Sequence, residues 1–313
     1  MPGVSVLTAA DDARLGEHVA VVDVGATVEP GAIQRLVDAL TDPEADAAYA
    51  DHVVVGSRGP ERFFPPAFSP ERLRHQAHWG PIVVVRGAVY SRVRGDTDPT
   101  SCHDLALRVS EMTDRIVRVP DALSSVPAEV AAQLDLAAIE AHLLRVGIDA
   151  AVESTDIAGV ARITRRLAER PLVSVIIPTR GGDGFVFGSR RRYVVEAIRS
   201  IVERSTYTEL EFVVVYDTSD TPAEVLAELS GLVPDRLVLV EFEATFNFPA
   251  KIAAGVQRSH GDLLLLLNDD TELIEPGSVE VMVGHLVDPG VAMVGCSLLF
   301  EDGTLQHGGH VYT

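Results

Sequence analysis

The chain has 313 residues, of which 47% are hydrophobic, so it can bury a substantial core and is expected to form two domains. Its formal net charge is −20, which argues against nucleic acid as a partner because phosphate backbones are bound by clustered Lys and Arg. No apolar run approaches the roughly 18 residues of a membrane span, and the first residues do not begin a signal peptide, so we expect a soluble, cytoplasmic protein without a transmembrane segment.

Sequence patterns in the first half predict only a few regular elements. Residues 4–8 and 17–23 have the apolar content of strands, and a helix is expected to end at Leu40. A single strand-like run precedes residue 17. These elements are therefore too few to form the complete nucleotide-binding half of an α/β domain.

Residues 172–300 alternate between strand-like and helix-like segments with short connections. This alternation predicts an α/β fold of right-handed βαβ units, with a mainly parallel sheet and flanking helices. The predicted strands are 172–177, 210–216, 236–242, 262–268 and 291–300, and the predicted helices are 193–202, 222–229, 249–258 and 277–287.

Five consecutive leucines at 263–267 are followed by Asn268, Asp269 and Asp270. The apolar run predicts a strand buried on both faces, with the acids at its carboxyl end, where ligands bind in open α/β sheets. One interpretation is a site for Mg²⁺ or Mn²⁺ that holds a nucleotide diphosphate, because hard cations favour carboxylate oxygens and leave positions open for phosphate. The other is a polar turn that caps the next helix. The segment alone leaves both open.

Polar side chains also follow the earlier strands of this half. Thr179 and Arg180 follow the first strand, Asp217 follows the second, and residues 246–248 follow the third. Each alone is typical of a turn or a solvated loop, but together on one sheet edge they indicate a nucleotide site. Two further polar residues are expected at the surface of a helix and its exit: Lys251 and His260.

Four motifs stand in order in the second half, at residues 173–180, 246–248, 267–272 and 303–309. Their order resembles that of family-2 glycosyltransferases with the GT-A fold, and most of all the rhamnosyltransferase-like and O-antigen or cell-wall enzymes. The resemblance covers about residues 170–313. It implies an inverting hexosyltransferase that moves a sugar from a nucleotide-diphosphate sugar, a dTDP- or UDP-sugar, to a glycan or lipid-linked glycan. A lipid-linked acceptor would place the protein peripherally at the inner face of the membrane.

The resemblance also implies roles for individual residues. Asn268 and Asp270 match the two ends of the Asp-x-Asp metal motif and would hold Mg²⁺ or Mn²⁺. The cation would neutralise the charge that develops on the leaving nucleotide diphosphate. Asp217 would face the base or ribose. The residues implied to contact the nucleotide sugar are Thr179, Arg180, Asp217, Asn247, Asp269 and His307.

One departure from the family pattern concerns the general base. In the family, a carboxylate in the acceptor-binding half deprotonates the acceptor hydroxyl, and that half follows the region of Gln306 and His307. Here the sequence given ends at Thr313. The expectation is therefore a fragment of a longer protein, with a donor half and without its acceptor half and base.

The first 150 residues resemble the same family in a degenerate form. Residues 17–23 and the following helix are similar to the metal-motif strand of a GT-A domain, but Gly25 stands where the motif needs its second acid. Cys102 stands where the base would be, and Asp104 is expected to orient a loop and helix start. We therefore expect a degenerate, non-catalytic GT-A-like domain at 1–150, a linker at 151–170, and a donor-binding half at 171–313.

Two other classes of function remain open. Both halves could keep the fold without turnover and serve as a non-catalytic interaction or binding module. Alternatively, Gly182, Gly184 and Gly188 loosely resemble a dinucleotide fingerprint, with Asp217 placed to accept from a ribose hydroxyl. The spacing is wrong by one residue, and no catalytic partner for hydride transfer is evident, so an oxidoreductase is the weaker of the two.

Overall fold

The computed structural model describes residues 4–7, 17–95, 97–186 and 188–309, which divide into two compact units between Arg166 and Leu167. This boundary lies within the segment 151–170 that was expected to be a linker. Most of that segment is folded, because Ala161 and Ile163 turn their side chains into the core of the first unit. Among the described residues, no helix is long and apolar enough to cross a membrane.

The first unit is built on a mixed sheet of seven strands in the order β1-β2-β6-β4-β7-β3, with β5 paired to β4. A separate hairpin pairs β8 with β9. The strands are β1 Val4–Leu7, β2 His18–Val22, β3 Thr27–Val28, β4 Ala47–Gly56, β5 Gly59–Phe63, β6 Ile82–Arg86, β7 Ile116–Pro127, β8 Ala150–Ser154 and β9 Ala161–Arg165. The helices are α1 Ala32–Ala39, α2 Pro70–His75, α3 Gly87–Arg94, α4 Cys102–Ser110, α5 Ala128–Ala131 and α6 Leu136–Arg145.

Helices cover both faces of this sheet. Alternate residues of β2 point to opposite faces, with Val19 and Val21 in one apolar cluster and Ala20 in the other. The predicted strand at 17–23 and the helix that ends near Leu40 are confirmed as β2 and α1. The strand predicted at 4–8 is confirmed over β1, and Thr8 lies outside the described residues.

The second unit contains a parallel sheet in the order β14-β13-β10-β15. Its strands are β10 Val173–Thr179, β11 Asp183–Val186, β12 Ser189–Arg192, β13 Leu210–Asp217, β14 Leu237–Phe242, β15 Leu263–Leu266, β16 Leu298–Leu299 and β17 Leu305–His307. Its helices are α7 Tyr193–Arg204, α8 Ala223–Leu232, α9 Phe248–Val256 and α10 Ser278–Leu286. Every residue of β10 and β13 is buried, as expected for central strands between two helical layers. The predicted βαβ series and its mainly parallel sheet are confirmed through β15 and α10.

The leucine strand β15 is not buried on both faces, so that prediction was wrong. It pairs with β10 and ends the order of this sheet, and its residues alternate between half-buried and exposed. Leu263 and Leu265 pack on the core, whereas Leu264 and Leu266 are 45% and 53% exposed. Burial on both faces requires layers above and below the strand, and composition alone does not supply them.

The strand predicted at 291–300 was also wrong over most of its length. Within this run only β16 is a strand, and it pairs with β17 in a separate antiparallel hairpin. Met293, within the predicted strand, is 88% exposed. An apolar run becomes a strand only where a neighbour accepts its backbone hydrogen bonds, and the described strands supply none before residue 298.

The glycine-rich segment after β10 forms a β-hairpin, β11–β12, in which Gly188 occupies the turn with φ +76°. Gly184 lies against the ring of Tyr193 at the start of α7. These glycines therefore do not form the strand-to-helix turn of a dinucleotide site, and the oxidoreductase interpretation loses its only motif.

Candidate functional site

The carboxyl ends of β10 and β13 and the helix α9 meet around one buried ammonium group. Lys251 of α9 is fully buried, and its Nζ lies 2.9 Å from Asp217 Oδ1 and donates to the carbonyl of Thr179 at 2.8 Å. The rings of Phe242 and Phe246 each lie with their centres 5.6 Å from the same nitrogen. Burial of an ammonium group requires this kind of compensation.

Lys251 was expected at the surface, and that prediction was wrong. Helix α9 packs closely on β10 and β13 because Gly255 presents no side chain to Ile176 and Val215. The close contact turns Lys251 inward. The sequence signal that could have identified it is a lone lysine within a run of small residues, since small residues allow a helix to approach a sheet. His260, by contrast, is exposed as expected.

Asp269 ties the end of β15 to the end of β10. The Thr179 hydroxyl donates to Asp269 Oδ2 at 2.6 Å and accepts from the backbone N–H of Gly181 at 2.9 Å. The pKa of Asp269 is raised above its usual value, chiefly by burial and also by the neighbouring Asp270. The hydrogen bond from the Thr179 hydroxyl and the charge of Lys251 act in the opposite direction. Asp217, Lys251, Thr179 and Asp269 therefore form one continuous polar chain across three strand ends.

Asn268 and Asp270 lie on either side of Asp269 in the sequence, and both are exposed. The Asn268 carbonyl accepts from the Thr271 hydroxyl at 2.8 Å, which is the polar turn that the sequence allowed as one interpretation. The Asp270 carboxylate makes no hydrogen bond or ion pair with another described residue.

The metal interpretation depends on how many protein ligands a cation needs. No group of three or more His, Cys, Asp or Glu side chains within the described ranges is arranged to hold a metal ion. Mg²⁺ commonly uses one or two carboxylates and completes its shell with water and substrate phosphate. An exposed carboxylate and amide at a strand end fit a cation held in that way.

The remaining predicted residues lie in three different settings. Arg180 is exposed and forms an ion pair with Asp220 at 3.1 Å. Asn247 is the N-cap of α9 and accepts from the Ala250 backbone N–H at 3.0 Å. His307 is half-buried on β17, opposite Leu298. The structure thus gathers Thr179, Asp217 and Asp269, and it gives Asn247 a capping role.

The first unit has an acid, Asp23, directly after β2, and its carboxylate is hydrogen-bonded within the fold. Asp23 Oδ1 accepts from the Cys102 backbone N–H at 2.7 Å, at the start of α4. Burial raises the pKa of the Cys102 thiol well above its usual value, so this thiol is unsuited to deprotonate a substrate. Asp104 accepts from the Thr100 backbone N–H at 3.0 Å and pairs with Arg108 at 2.9 Å, which fixes the loop and helix start as expected.

Residues 174–312 match the family model described as Glycosyl transferase family 2. Within the second unit, the resemblance drawn from the ordered motifs is confirmed over residues 174–312. The parallel sheet with flanking helices is the α/β type of fold expected for it.

Two curated relatives align with 95% of this chain. One is the O-antigen biosynthesis protein RfbC of Myxococcus xanthus, 31% identical over 318 residues. The other is the uncharacterized protein y4gI of Sinorhizobium fredii, 28% identical over 321 residues. The chain spans 24% and 34% of the lengths of these two relatives.

Two solved structures resemble smaller parts of the chain. The mannosyltransferase PcManGT from Pyrobaculum calidifontis, in complex with GDP-Man and Mn²⁺, is 22% identical, with a TM-score of 0.32 over 40% of this chain and 34% of that protein. The S. aureus protein TarS is 18% identical, with a TM-score of 0.30 over 37% of this chain and 20% of that protein. At these TM-scores neither structure defines details of the present site.

Proposed function

We propose that the second unit binds the donor of an inverting glycosyltransferase, a dTDP- or UDP-sugar, with the help of Mg²⁺ or Mn²⁺. The observation that supports this most directly is the polar chain at the carboxyl ends of β10, β13 and β15, within the residues that match family 2. Ligands of open α/β sheets bind at this edge. The acceptor would be a glycan or lipid-linked glycan of cell-wall or O-antigen type, in keeping with the name of the Myxococcus relative.

The residues divide between binding and support. Asn268 and Asp270 would hold the cation, which neutralises charge on the leaving nucleotide diphosphate. Asp217, Arg180 and Thr179 lie at the strand ends where a base and ribose would be bound. Asp269, tied to Thr179, would hold the metal-binding turn in position. We assign no general base to the described residues.

Isothermal titration calorimetry of the full chain with UDP and with dTDP, with and without Mn²⁺ or Mg²⁺, tests this proposal. We expect metal-dependent binding that Asp270→Ala weakens by at least about tenfold, or roughly 1.4 kcal/mol. Asp235→Ala removes an exposed carboxylate elsewhere in this unit and serves as the matched control. Equal binding without metal, or an unchanged affinity in Asp270→Ala, would count against a metal-bridged donor site.

A non-catalytic binding module is the second candidate. It is favoured by the first unit, where Asp23 is engaged by the Cys102 backbone and the Cys102 thiol is buried. This candidate predicts that neither nucleotide releases or absorbs heat on titration at any metal concentration.

A further inference from the structure

One strand of the first unit has an unpaired edge. Among the described residues, β8 pairs only with β9, in an antiparallel hairpin. The carbonyl of Asp149 accepts from the backbone N–H of Arg166 at 2.9 Å, which makes these two residues a hydrogen-bonded pair of the ladder. Such pairs alternate with non-bonded pairs, whose backbone N–H and C=O groups point away from the partner strand. In β8 the residues that point these groups away from β9 are Ala150, Val152 and Ser154.

No backbone hydrogen bond joins these outward groups to any other described residue. They border an open groove of about 620 Å³, whose lining residues all belong to the first unit. Four consecutive residues of β8, 150–153, line this groove. Because successive side chains of a strand point to opposite faces, a groove that reaches all four lies along the edge of the strand. An edge of this kind is a template for pairing with another extended chain.

The side of the groove nearer the core is apolar. Ala150 and Val152 pack on the apolar cluster that contains Leu143 of α6, and Ile148 packs there as well. Leu144 follows on α6 and lines the groove with 82% of its surface exposed. A chain added to β8 would cover this apolar surface with every second side chain.

The other side of the groove is acidic. Asp149 and Glu153 alternate with the core-facing residues of β8 and are exposed, and Glu140 of α6 adds a third carboxylate. Among the described residues of the lining, Arg166 alone is basic, and it is already paired with Asp149 at 2.7 Å. With three acids and one arginine, the lining has a formal charge of −2. The remaining side chains of an added chain would meet carboxylates, which favours arginine or lysine at those positions.

We propose that β8 binds an extended segment of a partner protein in which apolar and basic residues alternate. The segment adds to β8 as an antiparallel strand, which is the more stable of the two ladder types. Its apolar residues lie opposite Ala150, Val152 and Ser154 and exchange backbone hydrogen bonds with them, while its basic residues lie near Glu153. Backbone bonds supply affinity in this mode of recognition, and the pattern of alternate side chains supplies specificity. The proposal is independent of donor binding by the second unit.

A synthetic peptide provides the first test. The probe is a short blocked peptide that alternates valine and arginine and carries a fluorescent label, and its anisotropy is followed as the full chain is added. We expect saturable binding with a Kd below about 100 µM. A peptide that alternates valine and glutamate is expected to bind at least about tenfold more weakly, because its charge is repelled by Glu153 and by the net charge of −20.

Backbone methylation separates strand addition from general attraction to an acidic protein. In antiparallel addition the valines lie opposite Ala150 and Val152, so their N–H groups bond to β8, whereas those of the arginines point away. Methylation of the valine nitrogens should weaken binding at least about tenfold, and methylation of the arginine nitrogens should leave it unchanged. Both modified peptides keep the charge of the probe.

Substitutions in the protein test the same contact from the other side. Val152→Pro removes an N–H that points away from β9, a position at which an edge strand tolerates proline, whereas Val152→Thr keeps it. Leu144→Arg places a positive charge in the groove, and Ala137→Arg places the same charge at an exposed position of α6 outside it. We expect Val152→Pro and Leu144→Arg to weaken binding at least about tenfold and the two controls to leave it unchanged. Circular dichroism establishes that each variant is folded.

The proposal is overturned if the probe does not bind saturably, if methylation of the valines has no effect, or if Leu144→Arg binds as the wild type does. Sedimentation equilibrium examines the other occupant of such an edge, a second copy of this chain. A monomeric wild type supports the proposal, whereas a dimer that Val152→Pro converts to monomers overturns it. Calorimetry of UDP with Mn²⁺ on the same protein reports the donor site separately, so failure of either proposal is seen by itself.

Discussion

Lys251 is the residue on which the strand ends of the second unit converge. Its ammonium group is fully buried and satisfies Asp217 and the Thr179 carbonyl at once. A buried ion pair adds little stability over an apolar pair of similar volume, but removal of one member leaves an uncompensated charge. Lys251 therefore acts as a positioning residue, because it fixes two groups that the proposed donor would meet.

We expect Lys251→Met to destabilise the second unit by about 3–5 kcal/mol, because it leaves the Asp217 carboxylate without its cation. Hydrogen exchange at the amides of β10 and β13 measures this locally, which matters because the only tryptophan lies in the first unit. The double variant Lys251→Met, Asp217→Asn removes both charges and should recover part of the loss. Wild-type exchange rates in Lys251→Met would contradict the account.

The candidate site could be predicted in part from sequence. Thr179, Asp217 and Asp269 were identified because each ends an apolar run, and parallel strands bring their carboxyl ends to one edge. Lys251 could not be placed in the same way, since a helix presents side chains in all directions and only packing decides which face is buried. Asn247 was identified from its motif, but its local role is a cap, which the following Phe-Pro dipeptide also indicates.

At the level of elements, α9 depends on how closely it approaches the sheet. A Cβ atom on Gly255 would lie 2.5 Å from Ile176 Cγ2 and 3.0 Å from Val215 Cγ2. We expect Gly255→Ala to destabilise the second unit by about 1–3 kcal/mol, because overpacking displaces α9 from β10 and β13. Because Lys251 lies on the same helix, donor binding should weaken too.

Gly231 provides the control within the same unit. It lies in α8, is exposed, and has no atom within 4 Å of the position that a Cβ would occupy. Gly231→Ala should therefore stabilise the unit by about 0.5–1 kcal/mol through the helix preference for alanine. Urea unfolding followed by circular dichroism compares the two variants, and equal effects of the same sign would show that packing of α9 is not the cause.

The contact between α4 and α6 predicts an acid-dependent stability in the first unit. Glu111, which caps the end of α4, accepts from His142 Nδ1 at 2.7 Å and from Arg145 Nη2 at 2.7 Å. Arg74 Nε lies 3.2 Å from His142 Nε2, which favours the tautomer with the proton on Nδ1. Burial raises the pKa of Glu111, but the hydrogen bonds from His142 and Arg145 outweigh it and leave the pKa below its usual value.

The sign of the effect follows from that lowered pKa. A carboxyl whose pKa is lowered in the folded state adds stability above its unfolded pKa, and this stability is lost as the pH falls through the folded pKa. We expect Glu111→Gln to lower the melting temperature near neutral pH and to match the wild type in acid. Thermal melts across this range, followed by Trp79 emission, provide the measurement. A constant difference at every pH would exclude the carboxylate charge as the cause.

Elements were easier to predict than their burial. The central strands β10 and β13 were identified because β-branched runs bounded by turn residues have few alternatives. The strand β15 was located correctly but assigned the wrong environment, and residues 291–297 were assigned a strand that the structure lacks. Both errors have one physical origin: an apolar run specifies a preference for burial, whereas the neighbours that provide burial are set by distant parts of the chain.

At the scale of the whole molecule, the two units differ in how the acids at their strand ends are engaged. The acids at the strand ends of the second unit belong to the proposed donor site, whereas Asp23 of the first unit accepts from a backbone N–H. The first unit is therefore expected to contribute nothing to donor binding. Its role as a degenerate GT-A-like domain remains a proposal.

This division predicts that Asp23→Ala leaves the affinity for UDP and Mn²⁺ unchanged. The variant removes the acceptor of the Cys102 backbone N–H, so we expect a lower melting temperature of the first unit. Calorimetry with the nucleotide measures the first effect, and Trp79 emission during heating measures the second. A large loss of nucleotide affinity would mean that the first unit takes part in donor binding.

The burial of Lys251 also has a consequence for chemical labelling. Because it is the only lysine in the chain, the folded protein offers amine-directed reagents no exposed lysine side chain. Succinimidyl esters should modify Lys251 only when α9 separates from the sheet. The rate of acylation at this one position would therefore count openings of the second unit, and ligands that hold α9 in place should slow it.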